Sequence, residues 1–107
     1  MHITHVQYTV KPEYVATNRS NIERVMSDLR AMKPTGLRYA TYLKPDGRTF
    51  IHFALATDDG NAVLQALPSF KTFQAELKAS GPEVPPDASK LSLVDAMFDL
   101  ESFVAGQ

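Results

Sequence analysis

The sequence predicts an α+β fold: four strands in one antiparallel sheet and two helices on one face of it, ordered strand, helix, strand, strand, helix, strand. Three observations carry this. Apolar residues recur at helical spacing from Val15 to Met32 and again from Val63 to Leu77. Alternating or strongly apolar segments stand before, between and after these two stripes. A strong turn signal, "KPDGRT" (Lys44 to Thr49), joins two of those segments. At 107 residues the chain is too short for two ordinary domains, so one domain spans 1–107.

In the first strand, Val6, Tyr8 and Val10 occupy one parity and Ile3, His5, Gln7 and Thr9 the other, as in a strand with two different faces. Pro12 suits the opening turn of a helix, where its missing N–H costs nothing. Val15, Ile22, Val25, Met26, Leu29 and Met32 form the stripe that follows, ended by Pro34 and Gly36. At 100° per residue Asn18 falls inside that stripe. A buried amide needs partners, so Asn18 either bonds backbone or water near the start of the helix or contacts a ligand.

The hairpin arms are Leu37 to Leu43 and Thr49 to Ala56, with Pro45, Asp46 and Gly47 supplying preset φ, a side-chain acceptor and a permitted positive φ. The second arm is apolar on both parities apart from His52, which predicts a central strand covered on both sides. Asp58 and Asp59 are positioned to cap the second helix, which Pro68 must kink or break near Leu67 to Ser69. It restarts through "SFKTFQAELKAS" and stops at Gly81-Pro82. "SGPEVPPDAS" (Ser80 to Ser89) reads as an extended connection, and "KLSLVDAMFDL" (Lys90 to Leu100) as the last strand.

This order is the split βαβ arrangement of ferredoxin-like domains. Its second sheet face needs a cover. If Val6, Tyr8 and Val10, or the apolar rows of Thr49 to Ala56, lie there, a lone chain exposes an apolar patch of roughly several hundred Å². Two sheets paired about a two-fold axis would hide it.

Eleven basic against twelve acidic side chains create no general field for nucleic acid or an anionic membrane. Cysteine is absent, which removes disulfides, thiolate nucleophiles and soft-metal sites. No apolar stretch approaches the roughly 20 residues of a membrane span, and no basic region precedes an apolar run at the start, so a cytoplasmic protein is the expectation.

Candidate chemistry centres on histidine. His2 and His5, three positions apart on a strand, point to opposite faces and cannot share a metal. His5 and His52 are the better pair, because the first and third strands are expected to lie adjacent and parallel; a shared face would make a general base with a hydrogen-bonding partner. Otherwise they are two strand histidines satisfied by neighbours. No helical HxxxH or HxxE spacing supplies a metal site. Tyr39 and Tyr42 take opposite parities, so one at most faces a given cavity. Phe70 and Phe73 belong to the core or cap an apolar cavity suited to a planar aromatic ligand.

Three segments together resemble the dimeric α/β-barrel superfamily, which includes small antibiotic-biosynthesis-type monooxygenases, haem-degrading monooxygenases and stress-responsive barrel proteins. They are the first strand running into "VKPEY" (Val10 to Tyr14), the central hairpin, and "LPSFKTFQAEL" (Leu67 to Leu77), similar to the superfamily's second-helix segment with its proline ahead of "xF" and a further aromatic. The resemblance implies a homodimer. It does not imply haem: the haem-degrading pattern wants a first-strand asparagine, a tryptophan and a later helical histidine, where this chain offers His5, no tryptophan, and Phe73, Gln74 and Glu76. Some stress-responsive members carry a first-strand histidine where His5 sits; their second histidine is replaced here by Phe70.

The resemblance then implies an enzyme with no tightly bound cofactor and no metal, acting on an aromatic or polyketide-like molecule by proton abstraction that permits oxygenation or cyclisation. His5 would be the base, His52, Tyr39 and Asn18 would orient the substrate, and Phe70 and Phe73 would form the apolar wall. The alternative is a non-catalytic dimeric module for a small ligand or another protein. An enclosed cavity reaching His5, with both its ring nitrogens not already committed to protein groups, favours the enzyme, and a filled core around that ring favours the module.

Overall fold

The computed structural model describes residues 1–105; Gly106 and Gln107, the end of the 1–107 domain, lie outside the described residues. Strand β1 is His2–Thr9, and Pro12 opens a 3-10 turn, Pro12–Tyr14, that leads into helix α1, Val15–Met32. α1 ends on Lys33 in the left-handed conformation, whose N–H returns to the Leu29 carbonyl at 2.9 Å, so the helix stops one residue before Pro34. The hairpin β2, Leu37–Leu43, and β3, Thr49–Ala56, follows. Asp46 holds its turn by accepting from the backbone N–H groups of Arg48 and Thr49.

The second helix breaks where Pro68 requires it. α2 is Asp58–Ala66, Leu67 is extended, and α3 is Pro68–Ser80 with proline in its first turn. The cap of α2 is Thr57 rather than Asp58 or Asp59: its Oγ1 accepts from the Gly60 N–H at 3.1 Å, and the two aspartates occupy the first turn, where the helix dipole favours negative charge.

The strands form one sheet of order β2-β3-β1-β4 with antiparallel pairing throughout. β1 and β3 are therefore adjacent but antiparallel, not parallel. The crossover through α1 makes β1 and β2 parallel, and the hairpin then reverses β3.

The last strand is also relocated. β4 is Val84–Lys90, all but Lys90 inside the segment expected to be a connection, and residues 91–99 form no strand. Pairing runs Gln7 to Asp87 and then Thr9 to Val84, so Pro85 and Pro86 sit in a register shift on an edge strand, where missing N–H groups are tolerated. Beyond it the chain reaches a short helix, α4, Leu100–Ala105, which contacts β2 at the opposite edge of the sheet. There Arg38 Nε donates to the Phe103 carbonyl at 3.0 Å.

The register decides which row faces the helices. Val6 pairs with His52 and Tyr8 with Phe50, and Tyr8, Val10, Phe50 and Ala56 are buried against Val25, Leu29, Phe73 and Leu77. The Val6, Tyr8, Val10 row thus belongs to the core. The open face carries Ile3, His5 and Gln7 with Ile51, Phe53 and Leu55, all half-buried, and Tyr42, exposed.

Candidate functional site

A cavity of about 620 Å³ lies between the helix-facing row of the sheet and α3, along the flank left uncovered by helices beside β4. That volume lies within the range of small-molecule sites. Tyr8, Tyr39 and His52 line its closed end; Leu64, Phe70, Phe73 and Leu77 form the helical wall, and Pro85, Pro86 and Ala88 the strand wall. The walls are aromatic because of spacing. Phe70, Phe73 and Leu77 recur on one face of α3, while Tyr39 and His52 come from neighbouring strands on one side of the sheet. The Phe73 ring lies 5.3 Å from His52 and 5.9 Å from Phe70, and Tyr39 stands edge-on to Phe70 at 6.2 Å.

A chain of hydrogen bonds runs through the closed end. Asn18 Nδ2 donates to Tyr8 Oη at 2.9 Å, Tyr8 Oη lies 2.7 Å from His52 Nε2, and His52 Nδ1 lies 2.6 Å from Tyr39 Oη and 3.1 Å from Thr41 Oγ1. Burial pushes the His52 imidazole down to about 4, so the ring is neutral at pH 7 and carries one N–H. Burial pushes both phenols, Tyr8 and Tyr39, well above their usual range, so they too stay neutral.

These states assign a direction. With the Asn18 amide turned so that Nδ2 donates to Tyr8, the Tyr8 hydrogen finds its acceptor at His52 Nε2. The single imidazole N–H is then on Nδ1 and donates to Tyr39 Oη, with Thr41 Oγ1 as the longer second acceptor. With Asn18 donating, the opposite order would leave the buried Tyr8 hydrogen without a partner. Tyr39, accepting from His52, keeps a hydroxyl hydrogen that can be turned towards a carbonyl or phenolate oxygen in the cavity, as a neutral donor.

Of the residues singled out in the sequence, Tyr39, His52, Phe70 and Phe73 meet in this cavity. Asn18, fully buried, supports it from behind through Tyr8, and its Oδ1 has no partner among the described residues. His5 is elsewhere. It pairs with Phe53 on the open face, its ring edge-on to that phenylalanine at 5.0 Å. A two-histidine site needed a shared face, and the pairing of Val6, not His5, with His52 puts the two rings on opposite sides of the sheet. His2, on the helix side, bonds Asp58 Oδ1 at 2.6 Å.

Tyr8 escaped the sequence reading as a site residue, although a phenol in a buried row must find a partner, and that was the available signal. Lys78 and the prolines of β4 gave no signal, because their part in the cavity depends on where β4 pairs. Among the described residues no group of three or more His, Asp or Glu side chains could hold a metal ion, and no helix is long and apolar enough to cross a membrane.

No protein-family profile and no curated protein sequence matches this chain. Solved structures do. An antibiotic biosynthesis monooxygenase superposes with TM-score 0.72 at 17% identity, covering 89% of this chain and 100% of that one. Rv0793 from Mycobacterium tuberculosis superposes with TM-score 0.71 at 17% identity, covering 91% and 98%. SnoaB, a cofactor-independent oxygenase from Streptomyces nogalater solved in a mutant form, does so with TM-score 0.66 at 19% identity, covering 92% and 98%. The chain has the ferredoxin-like α+β fold of the antibiotic biosynthesis monooxygenase structures.

Proposed function

We propose that the cavity is the site of a cofactor-independent oxygenase or cyclase acting on an aromatic or polyketide-like molecule. The observation that carries this reading is the neutral Tyr39 hydroxyl, backed by His52, at the closed end of an aromatic-walled cavity. SnoaB, of the same fold, is a cofactor-independent oxygenase, which supports the reaction class.

In this reading the substrate stacks between Phe73 and the strand wall, and Tyr39 donates to its carbonyl oxygen. When the CH2 conjugated with that carbonyl, across the ring from it in an anthrone, gives a proton to water nearer the mouth, the charge that grows on the oxygen is met by the donated hydrogen bond. The electron pair then reduces dioxygen, a C–O bond forms, and the resulting peroxide anion takes up a proton to give the hydroperoxide. Loss of water leaves a new carbonyl, so one CH2 and one O2 become one C=O and one H2O. Without dioxygen the same enolate closes a ring by attack on an internal carbonyl.

Anthrone in air, followed as it becomes anthraquinone, tests this. Tyr39→Phe is expected to lower turnover about a hundredfold, as loss of one such donor does elsewhere. His5→Ala, on the other face, is expected to leave it unchanged. Equal turnover by wild type and Tyr39→Phe refutes the assignment.

A second reading, a non-catalytic binding module, is favoured by one observation: both His52 nitrogens are already committed to protein hydroxyls. Anthrone that binds in the cavity without turning over faster than in buffer would establish it.

The open face and the exposed apolar residues after β4 support a homodimer as the working form, two sheets facing across a two-fold axis.

A further inference from the structure

The cavity is chemically lopsided. Its closed end holds no charge, since Tyr8, Tyr39 and His52 are all neutral there. Among its lining residues only Lys78 carries a charge. Lys78 is exposed while lining the cavity, and so are Gln74 one helical turn earlier and Gln65 on α2, which places all three at the mouth. Pro82, Pro85 and Pro86 also line the cavity and have no polar side chain to offer.

Among the described residues nothing neutralises this ammonium. Among the described residues the ion pairs are His2 with Asp58 and Arg48 with Glu83, neither involving Lys78. The nearby carboxylate of α3, Glu76, accepts from Asn21 Nδ2 on α1 at 2.9 Å, away from the cavity.

Resting on the reading of the cavity as an aromatic site, we infer that its ligand is an aromatic acid, held with its keto or quinone oxygen on Tyr39 and its carboxylate at the mouth beside Lys78 and Gln74. The orientation follows from desolvation. A carboxylate at the dry end would lose its water with no cation to meet it, whereas at the mouth it keeps part of its hydration and gains Lys78. Lys78 is then the residue that selects acid over neutral analogues, and the one that sets which end of the molecule enters first.

Two fully oxidised quinones separate this from turnover: anthraquinone-2-carboxylate and its neutral isostere, anthraquinone-2-carboxamide, titrated by calorimetry. Wild type is expected to bind the acid roughly threefold tighter at low salt, the size of a solvent-exposed ion pair, with the preference fading at high salt. Lys78→Met should abolish the preference and leave carboxamide affinity unchanged, and Lys78→Glu should reverse it. Both variants are exposed helical changes, and unaltered circular dichroism certifies their fold. A wild type that binds both quinones equally, or a preference that survives in Lys78→Met, overturns the role of Lys78 and leaves the aromatic site standing. Binding of neither quinone overturns the aromatic site and this inference with it.

Discussion

His52 is a base that the fold keeps from taking a proton. The residue is only 4% exposed and its pKa is pushed down to about 4 by burial, while the unfolded chain's histidine titrates near 6.5. Above about pH 6.5 neither state holds the proton, and His52 makes no pH-dependent contribution to stability. As pH falls from 6.5 towards 4, the unfolded state binds a proton that the folded state refuses, so stability drops by up to about 3 kcal/mol. Urea unfolding at pH 7.5, 5.5 and 4.5 is expected to show this decline in wild type and to lose most of it in His52→Gln. An equal decline in both would assign it to other groups. The network around the ring was partly legible in the sequence. Alternation sent His2 and His5 to opposite faces, and helical phase buried Asn18. That Asn18 meets Tyr8, and Tyr8 meets His52, depends on the pairing of Val6 with His52 and on how α1 lies across the sheet, neither of which any local pattern encodes.

At the scale of elements, the helical flank of the cavity is held by a tight corner where α2 meets the start of β2. Gly36 has φ +75°, its carbonyl accepts from the Thr57 N–H at 2.9 Å, and a Cβ on Gly60 would collide with that same carbonyl. Helix propensity alone favours alanine over glycine at position 60 by up to about 1 kcal/mol. The collision is with backbone, which cannot rotate away, and overpacking of this kind costs about 1–3 kcal/mol. Gly60→Ala is therefore expected to lower the urea midpoint with an unchanged m-value, and a raised midpoint would mean that the corner yields. Capping and turn chemistry made the hairpin, α1 and the break at Pro68 readable, because each depends on a few neighbouring residues. β4 was not readable for the opposite reason. Pro85 and Pro86 are poor strand residues except at an unpaired edge beside a bulge, and only the sheet order reveals that edge. The better alternation of Lys90 to Leu100 drew the strand six residues too late at its start and ten at its end.

That misplaced pattern has a meaning for the whole molecule. Between β4 and α4 the chain crosses from one edge of the sheet to the other, exposing Leu91, Leu93 and Phe98 in part and Val94 and Met97 to 99%. Beside this crossing lies the open face, with half-buried Ile51, Phe53 and Leu55 and exposed Tyr42. Apolar patches on this scale mark interaction surfaces, and a face that is apolar in every copy is self-complementary about a two-fold axis. Val94 and Met97 allow a clean test, because in a lone chain they touch almost nothing and aspartate there should change stability by no more than about 0.5 kcal/mol. In a dimer that buries them, each loses about 1.5–3 kcal/mol of apolar burial, and a charge must be desolvated as well. Since about 1.4 kcal/mol is tenfold in affinity, Val94→Asp with Met97→Asp should weaken self-association by at least about a hundredfold while leaving the monomer folded. Sedimentation equilibrium across a concentration series reads that change directly. A wild type that stays monomeric throughout, or a double variant that associates as tightly as wild type, would mean that the open face and the crossing are not where two chains meet.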